Sequence, residues 1–160
     1  MSNENRTNIY HWIRLTNLET GAIIPKGHWG DGLKRAPLRH DHRAREIIYE
    51  RVRDEEYPDR PSRYESIFLC PNEDSARNFG RRYRASEVCY RVSIVDDDAS
   101  YFIANWNMMP SKISDYAEVE RCAREYWRGG HIPDNVQEIV VESDVRVIER
   151  VDLIRARARR

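Results

Sequence analysis

Val88, Tyr90, Val92 and Ile94 occupy alternate positions in one uninterrupted stretch, the period-two pattern of a strand with a buried face. Any fold for this chain must place that strand in a sheet, and the sequence offers it several partners. Ile9-Tyr10-His11-Trp12-Ile13-Arg14-Leu15 is rich in strand formers and predicts a first strand with His11, Ile13 and Leu15 on one face. Ser66-Ile67-Phe68-Leu69-Cys70 is a short apolar run bounded by turn signals and predicts a buried strand. Tyr101-Phe102-Ile103 follows the acidic turn Asp96-Asp97-Asp98. Two late strands, Ile139 to Val141 and Val145 to Ile148, are expected to pair across a Ser143-Asp144 turn.

Between these strands the period changes to that of helices. Ala44, Ile47, Ile48 and Val52 recur at helical spacing after Asp41, a cap residue, with Arg43, Arg45, Glu50 and Arg51 read as the polar face; Pro58 and Pro61 end the segment near Tyr57. Ala76, Phe79 and Tyr83 share a face within Glu73 to Arg84, and Tyr116, Val119, Ala123 and Tyr126 do so in a helix stopped by Gly129-Gly130. From Thr20 to Arg39, Gly21, Gly27, Gly30 and Gly32 fall among Pro25 and Pro37, which predicts a mobile loop, able to close over a ligand, rather than a regular element. Strands at both ends with helices between them predict an α+β protein, not a bundle or a regular parallel βαβ array.

At 160 residues the chain suits one domain over residues 9–154, after a flexible start at 1–8 and before a basic tail, Arg155 to Arg160. Its 27 basic and 27 acidic side chains cancel, so no overall field draws it to nucleic acid or an anionic membrane. No stretch approaches the roughly 20 apolar residues of a membrane span, and the start lacks a signal core, so a cytoplasmic location is expected. Cys70, Cys89 and Cys122 are odd in number and widely spaced, a pattern of buried reduced thiols. His28, His40 and His42 lie near Asp31 and Asp41, but their spacing fits no zinc pattern and no metal is expected. The glycines of this region form no dinucleotide fingerprint.

Three separated positions carry the chemistry. His11 lies on the first strand, Arg63, Tyr64 and Ser66 lead into the second buried strand, and Glu138 opens a late strand. Each has a plain structural reading beside the functional one: His11 as a satisfied strand histidine, Arg63 as a surface ion pair with Glu65 or Asp59, and Glu138 as a rim charge. Tyr126 and Trp127, at a helix end, suit either a pocket wall or the core.

The segments Tyr10-His11-Trp12-Ile13-Arg14, Tyr49-Glu50-Arg51-Val52-Arg53, Pro61-Ser62-Arg63-Tyr64-Glu65-Ser66-Ile67-Phe68-Leu69, Tyr126-Trp127-Arg128-Gly129 and Glu138-Ile139-Val140-Val141, in that order, resemble a small bacterial and phage family related to the ADP-ribosyltransferase-like superfamily, of the His-Tyr-Glu type. The first part is also similar to the opening of DNA-modifying ADP-ribosylating toxins. The resemblance spans about residues 9 to 151 and implies a split β-sheet clamp that takes NAD as substrate and transfers ADP-ribose to a protein or nucleic-acid acceptor. A toxin or counter-defence role fits the same resemblance. Carried over by position, His11 matches the first-strand histidine and Glu138 the catalytic glutamate. Ser66 opens the central strand, Arg63 or Arg14 suits the pyrophosphate, and Tyr64 or Tyr83 suits the stack on nicotinamide. Val136 stands two residues before Glu138, where arginine-modifying members carry Glu or Gln, so arginine is not the favoured acceptor.

The chemistry explains why a carboxylate is needed. Cleaving nicotinamide from ribose builds an oxocarbenium-like charge, which a fixed carboxylate stabilises more in the transition state than in the ground state. A protein with the same NAD-clamp fold that binds a protein or nucleotide without turnover is the alternative. Nucleic-acid association through the arginine-rich tail is a third reading.

Overall fold

The computed structural model describes residues 8–37, 40–84 and 87–154. Among them the chain forms β1 (Ile9–Ile13), β2 (Ile23–Ile24), α1 (His28–Lys34), α2 (Asp41–Glu56), β3 (Ile67–Leu69), α3 (Glu73–Tyr83), β4 (Val88–Ile94), β5 (Tyr101–Asn105), α4 (Tyr116–Arg128), β6 (Gln137–Val141) and β7 (Val145–Val151). The protein is α+β. The basic tail and residues 1–7 of the expected flexible start lie outside the described residues.

The strands form two antiparallel sheets, one ordered β1-β4-β7-β2 and the other β3-β6-β5. Period-two alternation explains how they pack. Ile67 and Leu69 of β3 and Ile139 and Val141 of β6 join Ile9, Tyr90, Val92 and Val147 in a core between the sheets. Val140, Phe102 and Ala104 face the other way, against Tyr49 and Val52 of α2 and Val119, Ala123 and Trp127 of α4. Glu138 has the parity of Val140, so it too points to the helical side.

Among the described residues one isolated bridge stitches the sheets together. Tyr10 and Cys70 exchange backbone hydrogen bonds of 2.9 and 2.8 Å in an isolated bridge between β1 and the end of β3. Asn72 caps α3 by accepting from the Ser75 amide at 2.8 Å, and Asp115 caps α4 by accepting from Ala117 at 2.9 Å.

Three expectations are corrected. The segment expected to be a mobile loop contains β2 and α1. Gly30 lies so close to the Tyr64 backbone that a Cβ would collide with it, and the Gly27 amide donates to Ser66 at 3.1 Å. Packing against the 62–66 segment thus outweighs the poor helix propensity of glycine. Second, β6 and β7 are not a hairpin. Both edges of β6 are occupied, by β3 and β5, so the chain crosses at Ser143-Asp144 to the other sheet. Asp144 accepts from the Lys26 amide at 3.0 Å and Ser143 from the Asp96 amide at 3.0 Å. Third, α2 begins after His40 with Asp41 as its first residue, and its buried face is rotated from the expected one. Arg45 and Glu46 are buried with Ile48, Tyr49 and Val52, whereas Ile47 is 47% exposed.

Gly80 illustrates a second close approach. It sits within α3, where glycine costs about 1 kcal/mol relative to alanine. A Cβ there would overlap the indole of Trp12, whose Nε1 donates to the Ala76 carbonyl at 3.0 Å. Gly80→Ala is therefore expected to destabilise the protein by about 1–3 kcal/mol in urea unfolding despite the gain in helix propensity. A variant more stable than the parent would show that Trp12 is not tightly seated.

Candidate functional site

A cavity of about 500 Å³ opens beside the bridge that joins the sheets, within the ordinary range for a small-ligand site. β1 contributes His11 and Trp12 to its lining, β3 contributes Phe68, β6 contributes Glu138, and α1 contributes His28 and Trp29. His11 and Glu138, far apart in sequence, thus reach the same space.

His11 is 5% exposed, and its Nδ1 lies 2.9 Å from the Phe68 carbonyl. A carbonyl only accepts, so Nδ1 carries the proton and Nε2 is left as an acceptor. Nε2 is buried with no hydrogen-bond partner. Burial pushes the imidazole pKa down to about 4, opposed by the Phe68 bond and reinforced by the His28 and Arg84 charges. The neutral ring is therefore the neutral-pH form.

Because the folded pKa lies below the unfolded value of about 6.5, protonation favours the unfolded chain. The contribution of His11 is complete above pH 6.5 and declines as pH falls toward 4. Between pH 7 and 5 the loss is about 2 kcal/mol. His11→Asn is expected to flatten this part of a plot of denaturant stability against pH. An unchanged slope would place the titration elsewhere.

Glu138 is held by a buried network. Its Oε1 accepts from Tyr126 at 2.7 Å and from Arg63 Nη1 at 3.2 Å. Arg63 also donates from Nε to Glu46 Oε2 at 2.6 Å and from Nη2 to Glu46 Oε1 at 3.0 Å, a bidentate pair, and from Nη1 to the Tyr126 hydroxyl. Arg45 donates to Glu46 at 3.1 Å and to the Pro110 carbonyl at 3.0 Å. Two guanidiniums and two carboxylates are thereby closed off together, none with a side chain more than 8% exposed. Burial pushes the Glu46 carboxyl upward, but Arg63 and Arg45 outweigh it and the net shift is downward. Burial and the neighbouring Glu138 hold the Tyr126 hydroxyl well above its usual range, against Arg63, so it stays a donor.

The expected site residues divide on this map. His11, Arg14, Arg63, Tyr83 and Glu138 line the cavity; Tyr64 and Ser66 do not. Tyr64 borders a separate shallow groove with Glu50 and Asp54, and the buried Ser66 hydroxyl donates to the Ser62 carbonyl at 2.6 Å. Arg63 is buried and pairs with Glu46 and Glu138, not with Glu65 or Asp59. Arg14 is on the rim, 85% exposed, at 3.7 Å from Glu87. Tyr83 meets Phe79 and Trp106 at 5.2 and 5.6 Å between ring centroids, an aromatic corner that also lines the cavity. Glu142 lies past the end of β6 and accepts from the Ser62 amide at 2.8 Å. Val136 is buried with Trp106 and Ile132.

Sequence reasoning missed Glu46, Arg45 and the hydroxyl of Tyr126. The available signal was spacing: Arg45, Ile48, Tyr49 and Val52 follow an i, i+3, i+4, i+7 pattern, which puts a charge on an apolar face. Cys70 and Cys89 are buried free thiols that pack in one cluster, and burial raises both, Cys89 to about 12. Among the described residues no group of three or more His, Cys, Asp or Glu side chains is arranged to hold a metal ion, and no helix is long and apolar enough to cross a membrane.

Residues 32–153 match the family described as protein of unknown function, DUF2441, and the chain belongs to that family. The matched span holds Glu46, Arg63, Tyr126 and Glu138; His11 and Trp29 precede it. No curated protein matches the chain.

Proposed function

We propose that this member of the DUF2441 family is an NAD-dependent ADP-ribosyltransferase with the split-sheet clamp of that superfamily. The observation that carries the reading is the meeting of His11 and Glu138 in one cavity, beside the Tyr10–Cys70 bridge between the two sheets. In the reaction the bond between ribose C1′ and the nicotinamide nitrogen breaks, and nicotinamide leaves with the electron pair. A nucleophilic atom of the acceptor then bonds to C1′ and gives up its proton. Glu138 stabilises the developing positive charge at the sugar. The bare Nε2 of His11 accepts a hydrogen bond from a ribose hydroxyl, and the Tyr83 corner stacks on the nicotinamide ring.

Arg63 has another task than the pyrophosphate contact. Four of its five N–H donors are taken by Glu46, Tyr126 and Glu138, so it orients the glutamate. The same contact favours a second reading, a binding protein without turnover. A guanidinium 3.2 Å from Glu138 offsets part of the charge the reaction would use.

Incubation with NAD labelled in its adenylate part, with and without cell lysate, separates the two. Release of nicotinamide together with label on a protein or nucleic acid is the expected result. Saturable NAD binding with no nicotinamide released over a long incubation, in every lysate fraction, would leave the binding reading instead.

A further inference from the structure

The cavity walls carry more unsatisfied hydrogen-bonding atoms than His11 Nε2. The buried atoms Trp29 Nε1, Arg45 Nε and Arg84 Nε also lack partners, and all three residues line the same cavity. Buried polar atoms are almost always paired, so such a concentration around one cavity marks where a ligand supplies the missing partners. Trp29 Nε1 and Arg84 Nε can only donate. Their complement is an oxygen with lone pairs.

These two donors come from different elements yet lie together. Trp29 is on α1, and Arg84 closes the C-terminus of α3. The Arg84 guanidinium carbon is 6.0 Å from the Trp29 ring centroid. Arg84 is oriented by Glu87, which accepts from its Nη1 at 3.1 Å and leaves the Nε edge unused. Arg14 meets the same carboxylate at 3.7 Å, so the rim holds two guanidiniums against one carboxylate. Arg84 is also close enough to act on the His11 ring. One end of the cavity therefore offers a neutral acceptor, suited to a hydroxyl, beside two donors and a surplus positive charge, suited to an oxyanion.

We propose that Trp29 and Arg84 form a phosphate clamp, with Glu87 as its positioning residue, which binds the diphosphate of a ribosyl nucleotide whose sugar hydroxyl meets His11. This rests on the reading of the cavity as a nucleotide site but assigns the anion to residues other than Arg63. Gly30 fixes the clamp, because its contact with Tyr64 sets α1, and with it Trp29, at this wall.

The test uses titration calorimetry of the full chain with ADP-ribose, and with adenosine as the matched probe lacking phosphate. The parent is expected to bind ADP-ribose more tightly than adenosine. Trp29→Phe keeps an aromatic ring and removes the donor; Arg84→Gln keeps part of the stem and removes the charge. Each is expected to weaken ADP-ribose binding about tenfold or more, with adenosine affinity unchanged. Should Arg84→Gln fail to fold, Trp29→Phe alone decides, with circular dichroism confirming its structure. Parental affinity for ADP-ribose in the variants would overturn the clamp. So would a parent that binds ADP-ribose no better than adenosine, or not at all. Clamp-dependent ADP-ribose binding without nicotinamide release from NAD would retain the clamp and remove the transferase. Nicotinamide release with parental ADP-ribose binding in both variants would do the reverse.

Discussion

Glu138→Gln is expected to slow nicotinamide release from NAD about a hundredfold or more while leaving the protein folded and NAD bound. The amide oxygen can still accept from Tyr126 and Arg63, so the shape of the network survives. What is lost is the negative charge beside the sugar, and a contact that matters mainly in the transition state lowers turnover more than affinity. His11→Ala is expected to act differently, weakening NAD binding as well, because its acceptor nitrogen holds the ground state. Single-turnover assays with calorimetry on both variants separate these effects. Parental turnover by a folded Glu138→Gln variant would remove Glu138 from the chemistry. Glu142, the next carboxylate along, is an unsuitable replacement because it is bonded to the Ser62 amide and does not line the cavity.

Arg63→Leu is expected to cost about 3–5 kcal/mol of stability. The buried network balances two positive charges, Arg45 and Arg63, against two negative ones, Glu46 and Glu138. Removing Arg63 strands both carboxylates against one guanidinium. Glu46→Leu alone reverses the imbalance and leaves two guanidiniums against one carboxylate. The double variant restores the balance, so it is expected to lose much less than the sum of the single losses. Urea unfolding of all four proteins measures that coupling. Additive losses would mean that Arg63 and Glu46 are stabilised by separate surroundings rather than by each other.

Elements whose signals lie within a few residues are legible in the sequence, whereas the buried face of α2 depends on the network. Alternation predicts β4 at its full length, because an alternating apolar strand needs only a sheet, and every partner on offer would satisfy it. Helical spacing within Glu73 to Arg84, and from Tyr116 to the Gly129-Gly130 stop, predicts α3 and α4 nearly to their observed ends, because those signals act on their own stretch of backbone. For α2 the sequence predicts the position but not which face is buried. Periodicity counts apolar residues and so predicts Ile47 as core, but Glu46 is buried because Arg45 beside it and Arg63, from a later segment, neutralise it.

The candidate site shows the same division. The sequence offers His11 and Glu138 only as single residues on separate strands; the fold brings them, with Arg14, Arg63 and Tyr83, to the lining of one cavity, whereas Tyr64 and Ser66 lie outside it. Strand alternation and helix spacing, together with the positions of prolines and caps, determined the α+β class and most element boundaries, because those signals act within a few residues. Only the tertiary structure decided that Ser143-Asp144 crosses between sheets, that Gly30 lets α1 form against Tyr64, and that Arg63 turns inward to Glu46 and Glu138. Each of these depends on a free strand edge, a Cβ-sized gap or a balancing charge contributed by a distant part of the chain, and local sequence carries no term for any of them.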